Sequence, residues 1–169
     1  MQRHALSVAA IARSLAADKP WAEEAFLAGL LHDVGFLLLA RQDPDGMQRA
    51  LATAAAGMPL AQAEQQHMGI SHGVAAGYLL GLWGLPYEIV ETVAYHEELG
   101  SVVQSCFDVL SAVSIAHALL VTIRPDDVPL YEMNSPTLGN EYLRAIRFPD
   151  SWESLVERAR ALLDAEEST

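Results

Sequence analysis

The chain has 169 residues, enough for one compact domain with a developed core, and its 51% hydrophobic and 19% charged residues exclude a disordered chain. A net charge of −12 argues against nucleic-acid backbones and anionic membrane surfaces as partners, while leaving room for a phosphorylated small molecule held through metal ions. The single cysteine, Cys106, excludes an internal disulfide and a cysteine-rich zinc site, so any metal would rest on histidine and carboxylate ligands.

Alanine-rich apolar spacing predicts a first helix over residues 2–17, stopped at Asp18-Lys19-Pro20. This N-terminal stretch lacks the unbroken apolar run and cleavage site of a signal peptide, and the expected location is cytoplasmic. A second helix is predicted over residues 21–41, with Glu23 and Glu24 favourably placed at its positive end. Within it, LAGLLHDVGFLLL (residues 27–39) is apolar except for His32 and Asp33, and it is too short and too polar in the middle to span a bilayer. A helix apolar on every side is buried. An ionised carboxylate there costs several kcal/mol unless it is paired, hydrogen-bonded or bound to metal. His32 and Asp33 are therefore either a metal or catalytic pair or a hydrogen-bonded tie between helices, and their partners come from elsewhere in the chain.

Asp43-Pro44-Asp45-Gly46 reads as a turn, followed by a helix over residues 47–56 and, from Pro59, a short one to Gln66. Further helices are predicted over 71–83, 87–98 and 102–123, the last stopped by Arg124-Pro125. Residues 131–136 read as loop, and two more helices are predicted over 138–146 and 151–165. No segment has the alternation of a strand, so the expected class is all-α. The expected organisation is a single domain over 1–169, with a core at 1–124 and a C-terminal extension of short helices at 125–169.

Four other histidines stand in suggestive places. His72 lies near a helix start beside Gly73, Ala75, Ala76 and Gly77, small residues that let another helix approach; it reads as a site residue or a polar cap. His96 ends the helix IVETVAYHEEL, where an imidazole also favours the negative dipole end. His117, in the apolar SAVSIAHALLV, is expected to be buried as a core residue or a ligand. His4 taken alone reads as a surface residue, as does His67, and Glu64 and Glu97 are the acids best placed to join a cluster.

In chain order, HALSVAAIARSLA, EEAFLAGLLHDVGFLLL, the ExxxxGxxH spacing of Glu64 to His72, AAGYLLGLWGLPYEIVETVAYHE and SAVSIAHALL resemble the HD superfamily of metal-dependent phosphohydrolases. Within it, the closest resemblance is to the HDOD family of bacterial signalling domains, over roughly residues 4–120. The resemblance implies an HD-type multi-helix bundle in which His4 is the first histidine of the pattern and His32 and Asp33 are its paired signature. It matches His72 and His96 to additional histidines of two-metal sites, and places His117 where a terminal aspartate is usual. A complete site would hold one or two divalent ions (iron, manganese, nickel or zinc) on His4, His32, Asp33, His72, His96 and His117; a degenerate one would hold none. Asp33 would be the catalytic residue if the domain hydrolyses phosphate esters, with the metals activating water and neutralising phosphate charge.

Several positions depart from the pattern. Phe36 stands where a lysine commonly follows the signature glycine, Glu97 replaces the second of two paired histidines, and no GYP signature of cyclic-di-GMP phosphodiesterases follows Glu98. Histidine and glutamate still ligate metals, whereas losing the lysine removes a charge that could hold phosphate. HDOD domains are regarded as regulatory. The resemblance thus implies first a signal-transduction domain acting through signalling proteins or an attached sensory or receiver domain, and alternatively an active phosphohydrolase on a nucleotide or other phosphate ester. The family pattern also carries helices ahead of the first histidine. The expectation is that these are either missing from this sequence or supplied by another segment or chain, leaving exposed helix faces and making a homodimer a reasonable expectation.

Overall fold

The computed structural model describes residues 2–99, 105–125 and 138–167. Among these are helices α1 (Gln2–Leu15), α2 (Ala22–Leu31), α3 (Val34–Gln42), α4 (Pro44–Ala55) and α5 (Leu60–Met68), and no strand. They are followed by α6 (His72–Leu82), α7 (Tyr87–Tyr95), α8 (Val109–Ile123), α9 (Asn140–Ala145) and α10 (Trp152–Glu167). The fold is all-α, as expected. The 131–136 loop and the 102–104 start of the predicted long helix lie outside the described residues.

Three predicted boundaries change for physical reasons. The expected helix over 21–41 is two helices, α2 and α3, which meet at His32 and Asp33; Asp33 leaves helical geometry with φ −97° and ψ 5°. The expected turn at 43–46 is the start of α4: the Asp43 carboxylate accepts the Gly46 N–H at 2.8 Å, and Pro44 fills the first helical position. The helix expected from 102 begins at Val109, because Asp108 and Ser111 form a capping box that sets its start.

Helix α8 is the centre of the molecule. Eleven of its fifteen residues are buried, including His117, and it packs against α1, α2, α7 and α10. Leu143 of α9, Ile146 just after it, and Leu155 and Leu163 of α10 join the same buried cluster as Val8 and Ile11 of α1. A second packing group lies to one side, where Ala50, Ala54, Leu60 and Ala63 of α4 and α5 pack against the half-buried Phe36 of α3.

Glycines let three helix pairs meet backbone to backbone. A Cβ on Gly29 would lie 2.9 Å from the Cα of Ala9, and one on Gly73 would lie 2.8 Å from the Ala94 carbonyl. The tightest approach is at Gly35, where a Cβ would sit 2.0 Å from the His72 carbonyl oxygen. Main-chain atoms cannot rotate away, so α3 crosses α6 at this spot only because residue 35 lacks a side chain.

Gly35→Ala is therefore expected to destabilise the protein by about 1–3 kcal/mol through overpacking. Gly81→Ala, on the exposed side of α6 with its nearest new neighbour at 3.9 Å, should be neutral or stabilising by up to about 1 kcal/mol. Urea denaturation of the two variants separates these outcomes.

Candidate metal centre

The break between α2 and α3 makes the site. His32 caps the C-terminus of α2, fully buried, and its Nδ1–H donates to the Gly29 carbonyl at 2.6 Å. That bond turns Nε2 toward Asp33, 3.2 Å from Oδ2. His96 repeats the device at the end of α7: Nδ1–H donates to the Val93 carbonyl at 2.9 Å, and Nε2 lies 3.7 Å from Asp33 Oδ1. His72, the first residue of α6, is oriented by a carboxylate instead. Glu64 Oε2 accepts both the His72 backbone N–H and its Nδ1–H, each at 2.7 Å, leaving Nε2 3.9 Å from Asp33 Oδ1. Such outer partners fix the tautomer and direction of a metal-binding imidazole.

The two oxygens of Asp33 thus face different histidines. Oδ2 faces His32 and, at 3.8 Å, Nε2 of His4 from α1; Oδ1 faces His72 and His96. The donor atoms of His4, His32 and Asp33 lie within 4.8 Å of one another, and so do those of Asp33, His72 and His96. Two neutral-capable nitrogens and a carboxylate suit a divalent transition metal, and one carboxylate shared by two such groups suits a pair of ions. His117 stands beside these groups and in neither: its ring packs edge-on against His4 at 5.4 Å and lies 5.8 Å from His32. Glu97 reaches the edge of the cluster, with Oε2 3.9 Å from His72 Nε2.

His4 is buried rather than on the surface, because α1 lies between α2 and α8 at this end. His67 is absent from the cluster; it contacts the Thr53 hydroxyl at 2.8 Å and ties α5 to α4. Sequence reasoning missed the carbonyl partners of His32 and His96. For His96, read at a helix end, the carbonyl three residues earlier was a visible candidate; for His32, read inside one continuous helix, no such signal existed. Ser114, which donates to the His96 carbonyl at 3.4 Å, carries no such signal.

Charges divide unevenly across the cluster. Burial alone would raise the Asp33 pKa, but His32, His72 and His96 hold it well below the ordinary carboxylate value. Burial would lower that of His72, but Glu97, Glu64 and Asp33 together lift it to about 10. His96 is pushed well below the usual imidazole value by burial and by its neighbours His32 and His72. Burial and His32 lower His117 to about 4, and burial raises Glu97 despite the two imidazoles facing it.

Beside Asp33 a cleft of about 460 Å3 opens between α1, α2 and α3. Leu6, Leu30, Val34 and Leu37 are among its walls, and among the described residues no lysine or arginine lines it. Phe36 belongs to the packing group of α4 and α5.

An all-helical bundle carrying two His–Asp groups on a shared aspartate defines a protein of the HD type. The family profile of the HDOD domain matches residues 1–99, and the chain belongs to that family. A "Putative phosphohydrolase" of Shewanella amazonensis SB2B has a similar structure, with 18% identity and a TM-score of 0.72 over 95% of this chain and 58% of its own. An "HDOD domain protein with unknown function" of Geobacter sulfurreducens has 20% identity and a TM-score of 0.66, over 99% of this chain and 57% of its own. These likenesses establish a shared fold, and this chain spans little more than half the length of either protein. No curated protein matches the chain.

The proton pattern gives a stability profile for protein freed of metal by a chelator. With a folded value near 10 against 6.5 unfolded, His72 stabilises fully below pH 6.5, and the gain is lost as pH rises toward 10. His117, with a folded value near 4, stabilises above pH 6.5, and that gain is lost as pH falls toward 4. Melting temperature is expected to peak near neutral pH and to fall on both sides. His72→Gln should flatten the alkaline limb and His117→Gln the acid limb.

Proposed function

We propose that this chain is a regulatory signalling domain that holds one or two divalent metal ions on its His–Asp cluster and acts through protein contacts. Its partners would be signalling proteins or a sensory or receiver domain attached to it. What supports this reading is the contrast between the cluster and its mouth. Four imidazoles face Asp33 from four parts of the fold, yet the cleft beside Asp33 is walled mainly by aliphatic side chains, with no lysine or arginine among the described residues that line it. Phe36, where the HD pattern commonly has a lysine, serves the packing of α4 and α5 instead.

The residues present fit a metal. His4, His32 and Asp33 would hold one ion, and Asp33, His72 and His96 a second. A second reading, a phosphohydrolase on phosphate esters, is favoured by the division of Asp33's two oxygens between separate histidine pairs. It is also the activity in the name of the Shewanella protein. Bound ions would there neutralise a phosphate and supply its nucleophile. Asp33 would hold the two donor groups in register, and Glu64 would keep His72 turned inward.

Elemental analysis of protein made without a histidine tag, reloaded with manganese, iron, nickel or zinc, tests the metal. Stoichiometric uptake is expected, with affinity reduced at least tenfold in Asp33→Ala. A panel of nucleotide and aryl phosphodiesters tests the chemistry, and no turnover is expected. Metal-dependent turnover that disappears in Asp33→Ala would replace the regulatory reading with the hydrolytic one, and failure to take up any metal would remove the ions from both.

A further inference from the structure

At the opposite end of α1 from His4, roughly 20 Å along the helix, a second cleft of about 470 Å3 opens. It lies between the turn after α1, residues 106–107 and the turn joining α9 to α10. The chain has ten lysines and arginines against 22 acids, yet Lys19, Arg147 and Arg158 all line this cleft. Two of them have carboxylates beside them: Lys19 Nζ lies 2.9 Å from Asp18, and Arg158 Nη1 lies 2.6 Å from Asp150. Each pair leaves further N–H donors of the cation unused. Arg147 has no hydrogen bond or ion pair to its side chain among the described residues.

Arg147 is also the one non-glycine residue with positive φ, +59°, among the described residues. It closes α9 in a left-handed cap, where the Phe148 N–H bonds the Leu143 carbonyl at 2.8 Å. Glycine adopts this conformation at no steric cost, and a long side chain there is uncommon. Glycine would fit this position without the steric cost, and the arginine here places a guanidinium at the cleft. The apolar lining includes Leu15, Ile146 and two aromatic rings. Phe107 and Phe148 meet edge to face, with centroids 4.5 Å apart.

We propose that this cleft binds a nucleoside monophosphate, with Arg147, Arg158 and Lys19 on the phosphate and the Phe107–Phe148 pair against the base. A volume near 470 Å3 suits a small molecule of that size. Asp18 and Asp150 leave one net positive charge, which favours a single phosphate over a polyphosphate. The site does not depend on the metal centre.

The test uses the full chain in low salt with AMP, GMP, adenosine and inorganic phosphate, read by calorimetry. Cys106, the sole cysteine, lines the cleft and is exposed, so its alkylation rate gives a second readout. A monophosphate is expected to bind more tightly than phosphate or nucleoside alone and to slow Cys106 alkylation. Arg147→Gly should weaken binding at least tenfold without lowering the melting temperature, since glycine relieves the backbone. Absence of binding by either nucleotide, an unchanged alkylation rate in the complex, or full affinity in Arg147→Gly would overturn the proposal. Inorganic phosphate binding as tightly as AMP would overturn the assignment of the base.

Discussion

An ionised carboxylate placed where helices converge needs cationic or hydrogen-bonding neighbours, and Asp33 takes them from elements far apart in the chain. His32 comes from the end of α2, His4 from α1, His72 from the start of α6 and His96 from the end of α7. None of these contacts forms unless α2 stops before Asp33 and α3 leaves in a new direction. That direction in turn requires Gly35, since α3 runs against the carbonyl of a residue that itself faces the aspartate. Break, crossing and cluster are one constraint.

The polar pair in an apolar run announced that partners had to arrive from elsewhere, and the histidines with helix-end or small-residue surroundings are the ones that arrive. Local signals went unread at two helix starts: Asp43 with Pro44, and Asp108 with Ser111, are both caps visible as residue types. The break at His32 was of another kind. Asp33, Val34 and Gly35 form helix less readily than the leucines before them, but nothing in residue type alone stops the helix at His32, and α3 leaves it packed against α6 and α4. From α1 alone His4 reads as a surface residue, because its burial depends on what lies over α1, which periodicity within α1 does not contain; only the resemblance to the HD pattern assigns it to the cluster. His117 was rightly placed in the interior, but depth alone did not say that it would flank the two donor groups instead of joining one.

Phe36 shows how one position serves two neighbourhoods. It follows the glycine on which the α3–α6 crossing depends, and its ring packs with Ala50, Ala54, Leu60 and Ala63. Glu64 comes from the same group of helices and crosses to hold His72. The smaller packing group of α3, α4 and α5 is thus the platform on which half of the cluster is aligned.

His117 belongs to a helix with almost no solvent face, and His4, His32 and His96 come from α1, α2 and α7, which pack against it. Site and core are therefore a single material. A substitution at any of these histidines opens a hole or strands a charge in the interior, whatever chemistry is gained or lost. A domain built this way has a mechanical reason to keep its histidines whatever reaction it does or does not carry out. In such a fold the residues of a site are also its mortar.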